Sequence, residues 1–180
     1  MVEKIIAPRL ELFDLTAGQL FKYLNDVAAL EAELGFQVSR SIVDANLSRA
    51  LGIKLEKLKS APQEAHPWLT YWLVVLKEPL FGSGMIGFKG VPDATGRVEV
   101  GYGIDQAWRN QGYITESLEA LRAWAFQHPD CHAITATAVV NPASEKVLEK
   151  TGFKIVSRDG GTSSWEFLKR DWQDDGRFQA

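Results

Sequence analysis

With 180 residues, 46% of them hydrophobic and 24% charged, the chain has enough apolar material for one compact domain with a substantial core. Its formal net charge of −3 offers no broad positive field, which argues against nucleic acid as a partner. A single cysteine, Cys131, excludes an internal disulfide framework, and no stretch reaches the roughly 20 apolar residues of a membrane span, so a soluble, cytoplasmic protein without a membrane partner is expected.

Along the chain, RLELF reads as a short strand. DLTAGQLFKYLNDVAALEAELG follows as a helix, with Leu20, Leu24, Val27 and Leu30 at helical spacing and Gly35 at its end. Between Ser39 and Ser60 the apolar positions Ile42, Leu47, Leu51, Leu55 and Leu58 recur at helical spacing, but Gly52 weakens the run, and two short helices are expected. WLTYWLVVLK, rich in β-branched and aromatic residues, reads as a strand, EPLFGSG as a loop and MIGFK as a short strand. GVPDATG makes a turn into RVEVGYGI, where Val98, Val100, Tyr102 and Ile104 alternate with Glu99, Gly101 and Gly103 as a third strand of an antiparallel run.

GIDQAWRNQGYITESLEALRAWAF then carries a helix with Ile114, Leu118, Leu121 and Ala125 on one stripe, stopping before Pro129. HAITATAVV is a strand. NPASEKVLEKTGF is a short helix with Asn141 as N-cap, Pro142 at its first position and Gly152 at its end. FKIVSR and SSWEFLKR form a hairpin across DGGT, and the tail, residues 171–180, is expected to fray. The order implies an α/β (mixed α+β) single domain: one twisted, mostly antiparallel sheet with helices on both faces.

The junction from Arg109 to Thr115 stands out. A helix N-terminus exposes unpaired N–H groups and a partial positive charge of roughly half a unit, which suits an anion. Gly112 lets a ligand approach the main chain without meeting a Cβ, and Arg109 adds a cation nearby, so a pocket for phosphate groups is expected. Neither a GxxxxGKS or GxxxxGKT loop nor a GxGxxG turn is present, which removes the Walker and Rossmann modes.

VEVGYGIDQAWRNQGYITESL, followed by a strand and by VNPASEKVLEKTGF, resembles the GNAT superfamily of N-acetyltransferases, and within it the branch of ribosomal-protein-alanine N-acetyltransferases. The resemblance runs from about Leu10 to Lys169, with its specific motifs over residues 98–153. The family's acetyl-CoA motif is Arg or Gln, two residues, Gly, one residue, then Gly or Ala. Here it reads Arg109, Asn110, Gln111, Gly112, Tyr113 and Ile114; Ile114 departs from the usual small residue and implies a bulkier contact near the diphosphate. The resemblance implies one N-acetyltransferase domain over residues 1–180, with the sheet splayed between the strand ending at Ile104 and HAITATAVV. The pantetheine arm of acetyl-CoA would lie in that gap, pairing with main chain near Ile104, with Asn141 as a further contact. The diphosphate would meet the amides of residues 111–115, Thr115 included.

Transfer to an amine also needs a proton acceptor and a donor for the leaving thiolate. Glu99, on the opposite strand face from Val98 and Val100, is the leading base; a solvated strand carboxylate is the plainer reading. Glu116 is a second base candidate, which the helix dipole explains as well. In the branch resembled, the position of Ser144 often protonates the thiolate, although Asn141 and Ser144 also suit an ordinary helix start. Tyr102 is a proton donor, a substrate contact or a core aromatic. HPDCH, with His128, Cys131 and His132, lacks a fourth ligand at usual spacing and reads as a turn, so no metal is expected. The expected activity is acetyl transfer from acetyl-CoA to a primary amine, either a peptide N-terminus or a small molecule; a non-catalytic CoA-binding module of the same fold is the alternative. The oligomeric state is left open, a homodimer included.

Overall fold

The computed structural model describes residues 4–179. Its elements, in chain order, are β1 (Lys4–Ile6), β2 (Leu10–Asp14), α1 (Ala17–Asn25), α2 (Val27–Leu34), α3 (Ala45–Ser60), α4 (His66–Leu69), β3 (Trp72–Leu76), β4 (Phe81–Phe88), β5 (Arg97–Ile104), α5 (Tyr113–Gln127), β6 (Ala133–Val139), α6 (Pro142–Lys150), β7 (Lys154–Asp159) and β8 (Thr162–Leu168). The strands form one sheet in the order β1-β2-β3-β4-β5-β6-β8-β7. Neighbours are antiparallel except β5 and β6, which run parallel because α5 crosses over between them.

Helices cover both faces of this sheet. Trp72, Val74 and Leu76 of β3 face one side, together with Phe88, Val98, Val100 and the inner stripe of α5. Leu73 and Val75 face the other, against Leu20, Tyr23, Leu30, Leu51 and Leu58 from α1, α2 and α3. A strand buried on both faces needs no polar alternation, which is why WLVVL is an unbroken apolar run. On the first side Trp124 anchors an aromatic cluster, its ring centroid 4.6 Å from Trp68 and 5.3 Å from Trp72. On the second, the buried Lys54 ammonium donates to the carbonyls of Leu69, Thr70 and Phe88 at 3.0, 3.0 and 2.6 Å. Those bonds tie α3 to the middle of the sheet while satisfying a charge that burial alone would penalise.

Several boundaries differ from the sequence expectation. The helix expected from residue 14 to Gly35 is two helices, because Asp26 ends one and starts the next: its N–H bonds to the Lys22 carbonyl and its carboxylate accepts from Ala29 N–H. Conversely, α3 is one continuous helix. Gly52 is tolerated within it because Leu51, Lys54 and Leu58 are buried on its inner face, and packing outweighs the propensity cost of about 1 kcal/mol. Trp68 and Leu69 lie in the turn of α4 rather than in a strand, and β4 begins at Phe81, inside the expected loop. Strand β1 was not anticipated. The tail expected to fray is tied down through residue 179: Trp172 packs on Phe126, Arg177 pairs with Glu119 at 3.5 Å, and Gln179 exchanges main-chain bonds with Ile6.

The sheet opens at one place. β5 and β6 pair only at Arg97–Ala133, Val98–Ile134 and Glu99–Thr135. Immediately beyond, β6 carries a bulge: its register against β8 shifts between Ala136 and Val139, and Ala138 has φ of +51°. A bulge bends its strand, so β6 turns where its pairing with β5 stops.

The aromatic cluster around Trp124 makes that residue costly to remove. Trp124→Ala should lower unfolding stability by roughly 3–5 kcal/mol, measured as a lower denaturant midpoint with an unchanged m-value.

Candidate active site

Main-chain groups line the opening. The Glu99 carbonyl accepts from Lys89 N–H at 2.8 Å and Asp105 N–H donates to the Ser83 carbonyl at 2.9 Å, so odd-numbered residues of β5 turn their peptide groups toward β4. Alternation then turns those of Val100, Tyr102 and Ile104 toward the gap, where β6 no longer meets them. Such a row is a template for an extended ligand.

At the end of β5 the chain makes a 3-10 turn over Gln106–Trp108, capped by the Asp105 carboxylate, which accepts from Ala107 N–H at 2.8 Å and from Ser39 Oγ at 2.5 Å. The Ser39 bond and the Ala107 N–H hold the Asp105 carboxyl below the usual carboxylate range. Asn110 and Gly112 then take left-handed conformations, φ +62° and +81°, and α5 begins at Tyr113 with no side-chain cap. The N–H groups of Tyr113, Ile114 and Thr115 therefore have no partner within the helix. At Gly112 a Cβ would be strained by that φ and would come 3.2 Å from Arg9 Nη2.

The sequence-selected residues fall into place unevenly. Arg109, Asn110 and Gln111 are exposed, and Tyr113 and Thr115 are half-buried. Arg109 reaches back to the Ile104 carbonyl, with Nε at 3.5 Å. The Ile114 side chain is buried, and its amide belongs to the uncapped N-terminus. A residue that the sequence did not single out stands beside this first turn. Arg9, in the turn between β1 and β2, bonds both carboxylate oxygens of Glu116 and the carbonyl of Gln111. Nothing local in the sequence marks it, because its partners lie more than one hundred residues away. Glu116, the second base candidate and a first-turn acid, is buried and paired with Arg9. A cavity of about 280 Å³ adjoins Gly112 on the side of the helix and tail rather than the strand gap, bounded by Arg9, Thr115, Glu119, Lys150, Arg177 and Phe178.

The candidate catalytic groups divide between the faces of β5. Glu99 lies on the α1–α3 face, its Oε1 2.5 Å from Lys89 Nζ and 2.5 Å from Thr137 Oγ1 on β6, so it spans the start of the gap. Its Oε2 has no partner among the described residues. Beyond it, Gly101 and Gly103 have open space where a Cβ would stand. Tyr102 lies on the other face, half-buried, and donates its hydroxyl to the Ser144 carbonyl at 3.3 Å. Burial pushes this phenol up to about 12. Asn141 caps α6 by accepting from Ala143 N–H at 2.9 Å, and Ser144 Oγ has no partner among the described residues. The structure thus brings Tyr102, Asn141 and Ser144 together and sets Glu99 across the strand from them. In HPDCH, the His128 ring packs tilted against Trp124, centroids 4.5 Å apart, and the buried Cys131 thiol is pushed up to about 11 by desolvation, away from nucleophilic use.

Residues 10–154 match the family model described as the acetyltransferase (GNAT) domain. The chain belongs to the GNAT acetyltransferase family. It is 31% identical over 100 residues to the uncharacterized N-acetyltransferase YjdG of Bacillus subtilis (strain 168), a match that spans 55% of this chain and 60% of that protein. Solved GNAT structures share the fold. A GNAT-family acetyltransferase from Bacillus anthracis superposes with a TM-score of 0.59 at 19% identity, over 93% of this chain and 99% of that one. A ribosomal-protein-S5-alanine acetyltransferase from Vibrio fischeri gives 0.61 at 18%, over 96% and 100%. RimL, a ribosomal L7/L12 alpha-N-protein acetyltransferase in complex with coenzyme A, gives 0.62 at 17%, over 92% and 98%.

The features of this GNAT domain fit coenzyme A on its own geometry. Uncapped amides and a glycine at φ +81° suit a diphosphate, and the free edge of β5 suits an extended amide-bearing arm. Gly112→Asp adds bulk and negative charge at this point and should weaken CoA binding at least about tenfold by titration calorimetry, with the circular dichroism spectrum retained.

Proposed function

We propose that this GNAT domain transfers an acetyl group from acetyl-CoA to a primary amine, at a protein N-terminus or on a small molecule, by direct attack of the amine on the thioester. The observation that carries the reading is the free edge of Val100, Tyr102 and Ile104 leading into the uncapped first turn of α5. Acetyl-CoA supplies an activated acyl group. Everything else comes from the chain.

In this reading the amides of Gln111, Gly112, Tyr113, Ile114 and Thr115 hold the diphosphate, with Arg109 and Asn110 at its edge. Main chain at Ile104 and the side chain of Asn141 hold the pantetheine. The amine approaches on the Glu99 face, where Gly101 and Gly103 leave room for it, and Glu99 Oε2 accepts its proton. On the opposite face Ser144 Oγ donates a proton to the departing thiolate. Tyr102 is the neutral donor that holds the Ser144 carbonyl, and with it the first turn of α6. A floor without side chains beside a carboxylate suits a cationic amine at the end of an extended chain. Acetylation of ribosomal proteins by the fold neighbours named above is consistent with a peptide N-terminus as the acceptor.

A thiol-release assay with acetyl-CoA against peptides, polyamines, amino acids and aminoglycosides tests turnover and acceptor class together. With the best acceptor, Glu99→Gln should lower kcat/KM on the order of a hundredfold and Ser144→Ala should lower kcat by about tenfold, both with CoA affinity unchanged. CoA binding without thiol release for any amine would leave a binding module in place of the enzyme.

A further inference from the structure

Arg9 contacts three consecutive parts of the α5 junction. Its main-chain N–H and Nε reach Glu116 Oε1 and Oε2 at 2.8 and 2.7 Å. Nη1 donates to the Gln111 carbonyl at 2.9 Å, and the guanidinium carbon lies 4.7 Å from the Tyr113 ring centroid. One side chain therefore holds the loop, the first helical residue and the first turn. Nη2 has no partner among the described residues.

The bond to Gln111 has a geometric consequence. A trans peptide sets its C=O and N–H on opposite sides, so fixing the Gln111 carbonyl toward Arg9 turns the Gly112 N–H away from the guanidinium. Left alone this peptide would rotate readily: Gly112 accepts many backbone angles, and Asn110 is held at φ +62° by no helical hydrogen bond. The planar guanidinium sets Nε on the Glu116 carboxylate and Nη1 on the Gln111 carbonyl at a fixed separation, a spacing that the single ammonium of a lysine does not reproduce.

We infer that Arg9 is a positioning residue for the diphosphate cradle, presetting the Gln111–Gly112 peptide and the first turn of α5 so that their amides meet the anion without rearranging. The inference rests on the acetyl-CoA reading above. Preorganisation lowers the ordering cost of binding, so its loss appears in the affinity for the nucleotide end of the donor and not in the chemical step.

Two acetyl donors separate this role from general structural support: acetyl-CoA, and S-acetyl-pantetheine, which has the same thioester and arm without the diphosphate. Arg9→Met should raise KM for acetyl-CoA about tenfold, keep kcat within about twofold and leave kcat/KM for S-acetyl-pantetheine unchanged. Arg9→Lys should not restore the KM. Equal losses with both donors, an unchanged KM for acetyl-CoA or full restoration by lysine would overturn the inference. If Arg9→Met does not fold, Glu116→Gln should show the same split between donors at about threefold, and an equal change with both would be as decisive. Wild-type protein that fails to bind CoA in calorimetry removes the acetyl-CoA reading together with this inference; binding by the wild type with an unaltered variant removes the inference alone.

Discussion

Parallel pairing between β5 and β6 lasts for three residues and then stops, and the rest of the site depends on that interruption. Peptide groups in a sheet interior are costly to leave without partners, so an opening there persists only where something else can satisfy them. The bulge at Ala138 bends β6, while β5 stays in register with β4 as far as Ile104. One wall of the gap is thus continuous with the core and the other is bent aside. Val98 and Val100 keep the fixed wall in place by packing against α5, which starts shortly after the 3-10 turn that follows β5.

That N-terminus is held from outside the segment that contains it. Arg9 joins it to the β1–β2 turn, and Arg177 pairs with Glu119 one turn further along α5. Gln179 bonds to Ile6, so the end of the chain and its beginning support the same helix. The start of α5 has no side-chain cap of its own. Support through the Glu116 carboxylate, in the first turn, leaves its amides free.

The candidate groups divide between the two faces of one strand because side chains alternate along it. Glu99, Gly101 and Gly103 form an open floor on the side of α1, α2 and α3, and Tyr102 meets α6 on the other. Removing a proton from an amine and returning one to a thiolate are different tasks on opposite sides of a reacting carbon. In the proposed reading β5 carries Glu99 on one face, while Tyr102 on the other holds the first turn of α6 with its Ser144, so neither group has to cross the gap. Lys89 and Thr137 occupy only one oxygen of Glu99, which leaves the other available.

Local pattern made much of this legible. The alternation of RVEVGYGI placed Glu99 and Tyr102 on opposite faces, the glycine after RNQ located the start of α5, and NPAS located the start of α6, because period, turn chemistry and capping act over a few residues. The same reasoning failed at Gly52, which packing keeps within an unbroken helix, and at Asp26, whose capping bonds divide a helix that looked continuous. It had no access to Arg9, or to the bond from Glu99 to Thr137, since those contacts join residues far apart in the chain. The sequence by itself determined the order of elements from β3 onward, the glycine junction and the sides on which Glu99 and Tyr102 stand, through short-range geometry. Only the tertiary structure decided where the sheet opens and which distant side chains hold the helix start, because those follow from the way the whole chain packs.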